Sequence, residues 1–282
     1  MSTEPLGVEA FSGIIAIALA EDLAHGPDAT TEATVPADAV AVAELTPRAS
    51  GVLAGVGVAE EVFRQVLPGV EVLGALADGS AAEVGVPALT VRGATRALLT
   101  AERTALNFLC HLSGIATATH EWVRAVEGTG AAVRDSRKTL PGLRVLEKYA
   151  VRCGGGVNHR MALGDAVLIK DNHVLAAGSV AKAIAAVRAH APELPCEVEV
   201  DTLAQLDEAL AENAELVLLD NFTVADCAEA VRRAAGTGTR LEASGGLTLE
   251  VARAYAETGV DYLAVGALTH SSPALDLGMD LR

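Results

Sequence analysis

Between Arg134 and His173 an acidic chain turns basic. The run holds eight Lys/Arg (Arg134, Arg137, Lys138, Arg144, Lys148, Arg152, Arg160, Lys170) against four Asp/Glu (Asp135, Glu147, Asp165, Asp171), whereas the whole chain carries −16. His159 and His173 stand among these cations. Cations concentrated inside an anionic protein point to a focused site for a small, highly charged anion, not to a surface for polyanions. Further along, Glu197 and Glu199 share one face of a strand by two-residue periodicity, and a carboxylate in a central strand needs a partner or a metal. Asp220 and Asp201 read either as acidic site residues or as helix N-caps. Arg137, Lys138, Arg160 and Lys170 read either as site cations or as solvated charges. Lys170 follows the apolar run AVLI, so its stem is expected to be buried at the barrel mouth with its ammonium pointing inward. Ser244-Gly245-Gly246 ahead of a helix near Thr248 offers free backbone N–H groups for a phosphate. The loop Gly266-Ala267-Leu268-Thr269-His270-Ser271 could clamp the same group. Gly154-Gly155-Gly156 suits a close approach to a ligand or the end of a helix. From residue types and spacing alone, the inventory fits a phosphorylated sugar plus a carboxylated anion, with carboxylates suited to Mg2+.

The elements that must position these residues are legible in the apolar pattern. From about Ala131 short β-rich runs alternate with amphipathic helical runs. Strands are predicted at Ala131–Asp135, Ala166–Lys170, Cys196–Val200, Leu216–Leu219, Arg240–Ala243 and Tyr262–Val265. Helices are predicted after Pro141-Gly142 and at Val180–His190, Leu203–Leu210, Val224–Ala235 and Leu249–Glu257. Six such units imply a parallel, curved or barrel-like sheet, short of the eight in a full (β/α)8 barrel. The polar candidates fall at the carboxyl ends of these strands, where parallel sheets place their chemistry. The first 125 residues or so read differently. Helices are expected at Val8–Ala20 and Ala59–Leu67, and strands at Val40–Leu45, Val52–Val58, Val70–Leu76 and Ala88–Val91. A long helix or helix pair from Thr95 to about Val126 is expected to break near Ser113-Gly114.

Composition limits the partners. Aromatic residues are 3% of the chain, and the net charge repels nucleic acids and anionic membranes. No membrane partner and no nucleic acid are expected. The four cysteines form no CxxC pair, against a zinc site. FSGIIAIALA is too short to span a bilayer and lacks the flanks of a signal peptide, so a cytoplasmic protein is expected.

At these same motifs the sequence resembles the quinolinate phosphoribosyltransferases. The strings are ERTALNFLCHLSGIA from Glu102, DSRKTLPGLR from Asp135, KYAVRCGGGVNHR from Lys148, LIKDNH from Leu168, EVE from Glu197, Asp220-Asn221, Ser244-Gly245-Gly246 and GALTHS from Gly266, with Glu21-Asp22 and DATT from Asp28 ahead of them. Ser136 stands where the family usually has Thr, keeping the hydroxyl. The resemblance implies an α/β fold, an N-terminal α/β sandwich domain plus an incomplete six-stranded α/β barrel. The bounds expected are 1–126, 127–272 for the barrel, and a tail 273–282 returning toward the N-terminal domain. It implies transfer of phosphoribose from phosphoribosyl pyrophosphate (PRPP) to quinolinate with loss of CO2, yielding nicotinate mononucleotide for NAD biosynthesis. It implies Mg2+ as cofactor, and a homodimer or larger assembly with sites shared between subunits. By this resemblance Arg103 (from the neighbouring subunit), Arg137, His159, Arg160 and Lys170 bind quinolinate, and Lys138 lies between the substrates. Glu199 and Asp220 hold the ribose hydroxyls and Mg2+, while Ser244, Gly245, Gly246, Gly266 and His270 hold the 5′-phosphate. The rival readings are a molybdenum-transport-associated homologue, a Schiff-base lyase using Lys170, and a non-catalytic phosphoribosyl sensor. The complete dicarboxylate set and the Glu199–Asp220 pair weigh against the first and third.

Overall fold

Apolar residues at every second position make strands, and those at every third or fourth make helices. A computed structural model describes residues 4–282. In chain order the helices are α1 (Ser12–Asp22), α2 (Ala29–Thr34), α3 (Val56–Val66), α4 (Thr95–Ala125), α5 (Arg144–Cys153), α6 (Asp171–Ala177), α7 (Val180–His190), α8 (Leu203–Ala211), α9 (Val224–Ala234), α10 (Leu249–Ala256) and α11 (Ala267–His270). The strands are β1 (Val40–Pro47), β2 (Gly51–Val52), β3 (Glu71–Ala75), β4 (Ala81–Ala82), β5 (Leu89–Ala94), β6 (Ala132–Arg134), β7 (Val167–Ile169), β8 (Cys196–Val200), β9 (Leu216–Asp220), β10 (Arg240–Ser244), β11 (Tyr262–Ala264) and β12 (Leu277–Leu281).

The chain divides into two units that interleave in sequence. One takes the chain up to His120, then Thr139–Gly155 and Ala267–Arg282; the other takes Glu121–Lys138 and Gly156–Gly266. The barrel domain expected continuously over 127–272 is thus interrupted by Thr139–Gly155 and ends at Gly266. The reason for the interleaving lies in packing: in the first unit, a Cβ at Gly154 would collide with Ala116 O of α4, and buried Glu147 on α5 meets His111 on α4 at 2.9 Å.

In the first unit a four-stranded sheet runs β12-β1-β5-β3. β1 pairs antiparallel with both neighbours, matching Leu45 to Met279 and to Leu89. Ala43, Leu45 and Pro47 alternate onto the buried face. The sequence run Val52–Val58, expected as one strand, is split: Val52 ends the two-residue β2, residues 53–55 belong to no element, and Val56–Val58 are the start of α3. Gly55 turns the chain at φ 91, and Val56 opens α3 with its N–H donated to Asp78 Oδ1 at 2.9 Å. α4 is unbroken at Ser113-Gly114, against expectation. That pair serves close packing: Ser113 Oγ accepts the Ala54 N–H at 3.0 Å, and a Cβ at Gly114 would collide with Pro273 O. Asp28, in the opening motif, caps α2 by accepting the Thr31 N–H at 3.1 Å.

In the second unit six parallel strands run β6-β11-β10-β9-β8-β7. Each strand neighbours the next in sequence except β6 and β7, while β6 closes onto β11. The six parallel strands are those expected, and the sheet is left open between its first two, β6 and β7. β9 is apolar and buried from Leu216 to Leu219, as a strand covered on both faces must be. Every predicted strand and helix here is present within a residue or two at each end. The short α6 was not foreseen. Among the described residues no helix is long and apolar enough to cross a membrane.

Candidate active site

The second unit gathers most of the predicted residues. Its interior holds a buried layer of charge. Arg134 on β6 lies 2.6 Å from Glu242 Oε2 on β10 and 3.9 Å from Glu197 Oε2 on β8. His159 Nε2 is 2.7 Å from Glu197 Oε2. Asp135, fully buried, accepts the His159 N–H at 2.8 Å and Asn158 Nδ2 at 2.5 Å. Arg134 also stacks over the Tyr262 ring at 4.8 Å. Burial, seconded by Glu197, pushes the Glu242 carboxyl up to about 8 despite the opposing pull of Arg134.

Two residues further along the strands, toward their carboxyl ends, stand Glu199 and Asp220. Lys170, just past β7, places Nζ 2.7 Å from Glu199 Oε2. Its side chain is 49% exposed, so the expected buried stem is not found. α6 begins directly after it, turning the chain sideways, and the His173 ring accepts the Lys170 N–H at 2.9 Å. Burial raises the Asp220 carboxyl from its ordinary value, Glu199 and Asp201 adding to it, while Lys170 and Lys138 oppose. Asp201 lies just past the end of β8 and Asp220 closes β9, and neither makes a side-chain cap. The helices after them are capped instead by Thr202 and Thr223.

The phosphate-cradle candidate also forms. Gly245 and Gly246 both have positive φ, 99 and 60. A Cβ at Gly245 would collide with the side-chain amide of Asn221, itself at φ 56. Asn221 donates Nδ2 to Asp220 Oδ2 at 2.8 Å and its N–H to Ser244 O at 2.9 Å, tying the ends of β9 and β10 together. A Cβ at Gly266 would stand 2.9 Å from Lys138 Cδ, so the Lys138 stem lies against that glycine. The Lys138 N–H is donated to Ser136 Oγ at 3.0 Å, a role for the hydroxyl.

The cations are crowded. Burial, then the neighbouring Arg137, lowers the Arg160 guanidinium from its ordinary value. Arg160 reaches Ala166 O at 3.1 Å. Arg137 Nε is buried without a hydrogen-bond partner. Two guanidiniums held close with a donor unspent suit a dianion.

Arg103 and His270 lie in the other unit. Arg103 is exposed on α4; His270 ends α11, exposed, with Nδ1 2.7 Å from Ser271 Oγ. The triple glycine resolves in favour of helix termination and packing: Gly154 is the C-cap of α5.

The comparisons with known proteins decide the family. The family model described as quinolinate phosphoribosyl transferase, C-terminal domain, matches residues 115–280, and its N-terminal counterpart matches 28–113. The chain belongs to the quinolinate phosphoribosyltransferase family.

A nicotinate-nucleotide pyrophosphorylase (carboxylating) of Mycobacterium leprae is 61% identical over 268 residues, covering 94% of each chain. A probable nicotinate-nucleotide pyrophosphorylase of Bacillus subtilis is 41% identical, covering 85% of this chain and 83% of that one. The crystal structure of NadC from Streptococcus pyogenes superposes with a TM-score of 0.95 at 40% identity, covering 99% of both chains. The fold, enzyme class and reaction expected from the sequence are borne out: this is a phosphoribosyltransferase that joins quinolinate to PRPP with decarboxylation.

Arg134, Glu242 and Asn221 enter this geometry without a role expected for them from the sequence. A signal existed in Glu242, a carboxylate flanked by Leu241 and Ala243 in an apolar strand, the same anomaly that marked Glu197.

Proposed function

We propose that the strand ends of the second unit carry out phosphoribosyl transfer in two adjoining halves. Arg137, Arg160 and Lys170 hold the quinolinate carboxylates. Glu199 and Asp220 hold the ribose hydroxyls. Ser244, Gly245, Gly246 and Gly266 cradle the 5′-phosphate, and Lys138 lies between the halves. One observation carries this reading: Lys170 and Lys138 both act on Asp220, and Lys170 pairs with Glu199, so cations for an aromatic dianion border carboxylates for a sugar.

The chemistry follows from that border. The quinolinate ring nitrogen attacks C1 of the ribose as pyrophosphate leaves. Positive charge gathers on the sugar, where fixed carboxylates stabilise it most. Lys138 neutralises the departing oxygens. The ring nitrogen, once alkylated, is positive and stabilises the electron pair that stays on C2 when its carboxylate leaves as CO2, and C2 then takes up a proton from water.

The residues fit Mg2+ as cofactor. Asp220 is a carboxylate held among Glu199 and Asp201, a crowd that a divalent cation relieves, and all donors are oxygens. Bound by Glu199 and Asp220, Mg2+ would supply charge neutralisation to pyrophosphate. We further propose a cytoplasmic homodimer in which Arg103 of the partner subunit reaches the quinolinate half. All four cysteines are free, as a reducing compartment keeps them.

Mass spectrometry after mixing the protein with quinolinate, PRPP and Mg2+ tests the reading. Nicotinate mononucleotide, pyrophosphate and CO2 are expected from quinolinate and not from nicotinate, which would leave cations unpaired. Equal turnover of nicotinate would overturn the dicarboxylate assignment.

A further inference from the structure

We propose that Asn221 is a positioning residue for the transferase reaction, its side-chain amide holding Asp220 and the Gly245 loop at the spacing of a pentose 5-phosphate. The proposal rests on the reading that Asp220 holds the ribose hydroxyls and that Ser244, Gly245 and Gly246 hold the 5′-phosphate.

The main chain at Asn221 is left-handed because both of its sides are fixed. On one side β9 ends in register with β10, Asp220 opposite Ser244, and the Asn221 N–H is donated to Ser244 O at 2.9 Å. On the other side the Phe222 side chain is buried, and Phe222 O accepts the Tyr255 hydroxyl of α10 at 2.9 Å. Thr223 then caps α9. The chain must turn between these anchors within one residue, and it does so at φ 56. Glycine takes that conformation without strain, and Asn tolerates it better than most side chains. Asn213 does the same at φ 52, just past α8. The turn alone thus accounts for a glycine or an Asn at 221. It does not account for the two contacts that the amide makes.

The first contact is the bond from Nδ2 to Asp220 Oδ2 at 2.8 Å. It fixes the rotation of the carboxylate about its Cβ–Cγ bond. A neutral donor does this without cancelling the charge, so Asp220 keeps its attraction for a hydroxyl or a cation. The second contact is with Gly245, where a Cβ would collide with Asn221 Oδ1 and Cγ. The Gly245 main chain therefore lies directly against the amide. One planar group meets the sugar carboxylate on one side and the phosphate loop on the other. The hydroxyls and the 5′-phosphate of a ribose are joined by a fixed set of covalent bonds, so the groups that receive them must stand at a matching separation beforehand. Asn221 is exposed. Its bond to Asp220 exchanges for water at little net cost, so its loss is to be read in binding and not in folding.

Two variants test the proposal. Asn221→Gly keeps the left-handed turn and removes the amide. Asn221→Asp keeps the shape and also tolerates the turn, but replaces the donor with an oxygen. Each should melt within a few degrees of the wild type. Each should raise the PRPP KM about fivefold or more and leave the quinolinate KM within about twofold. Inhibition against PRPP in the presence of Mg2+ gives a second reading. In Asn221→Gly the inhibition constant of ribose 5-phosphate should rise about fivefold or more, whereas that of inorganic pyrophosphate, which lacks the ribose that spans the two groups, should stay within about twofold. Wild-type constants for PRPP and ribose 5-phosphate in Asn221→Gly would overturn the proposal, since the residue would then serve the turn alone. Equal changes for both substrates, or for both inhibitors, would overturn it as well. Should Asn221→Gly fail to fold, Asn221→Asp decides by its KM values. Asp220→Ala keeps this failure apart from failure of the underlying reading. An unchanged PRPP KM in Asp220→Ala would remove the sugar half of the site, whereas a raised one beside unaffected Asn221 variants would remove only the role of Asn221.

Discussion

Lys170 Nζ stands 2.7 Å from Glu199 Oε2, across the gap between the strand ends of β7 and β8. One residue belongs to the proposed quinolinate half and the other to the proposed sugar half. The pair joins them before either substrate arrives. Quinolinate binding must draw Lys170 partly away from Glu199, which leaves that carboxylate freer for a cation or a hydroxyl. Lys170→Ala should raise the quinolinate Kd about tenfold, roughly 1.4 kcal/mol. The loss is smaller than for a sealed ion pair, because half of this side chain is in water. PRPP binding with Mg2+ should hold or tighten. Calorimetric titration of each ligand decides it, and wild-type quinolinate affinity in the variant would take Lys170 out of the site.

Gly245 is constrained twice, by φ 99 and by the Asn221 amide beside it. Gly246 has φ 60 and nothing within 4 Å of a Cβ. Alanine at Gly246 should cost about 1 kcal/mol of stability, the ordinary penalty of a left-handed residue. Alanine at Gly245 must also push Asn221 off Asp220, costing about 2 to 3 kcal/mol. It should raise the PRPP KM tenfold or more. Thermal melts and PRPP kinetics of the two variants check the ranking, and equal effects would detach Asn221 from the cradle.

Arg103 is exposed on α4, among residues of the first unit. A catalytic contribution from Arg103 of the partner subunit predicts complementation. Arg103→Ala and Lys138→Ala should each be nearly inactive. Mixed under conditions of verified subunit exchange, they should regain up to a quarter of the wild-type activity per site. No recovery would count against a shared site.

What the sequence disclosed follows from how local each signal is. CEVEV alternates strictly and became β8; the run from Ser179 has a capping hydroxyl and helical spacing, and became α7. Both are decided within a dozen residues. Ser113-Gly114 looked like a break because small residues often are; here they admit Ala54 and Pro273, contacts set by distant chain. β12 was foreseen only as a returning tail, since the strand it pairs with lies more than 200 residues earlier. The mouth residues were legible because polar residues at strand ends stand out. The interior layer was not, since whether Arg134 meets Glu242 depends on register between β6 and β10, which no local pattern records. Lys170 shows the limit of local inference: an apolar run before it predicted burial, and α6 carried it into solvent.

Glu242 offers a test of that interior layer through stability. Its carboxyl is raised to about 8, by burial first and Glu197 second, with Arg134 pulling the other way. Asp135 adds to the upward push. A carboxyl whose folded pKa exceeds its unfolded value binds its proton more tightly in the folded protein. Its contribution to stability is full below the unfolded value of 4.5 and is lost as pH rises through the folded one. The wild type should therefore lose stability from about pH 5 to about pH 9 through this group. Glu242→Gln keeps an oxygen to accept from Arg134 and an amide to donate toward Glu197, with no proton to lose. Its melting temperature should vary less over that range. At about pH 9 it should exceed the wild type by a few degrees, on the order of 1 kcal/mol. Calorimetric melts at several pH values give the comparison. Parallel curves for the two proteins would mean that Glu242 is already ionised in the folded state, its charge fully answered by Arg134.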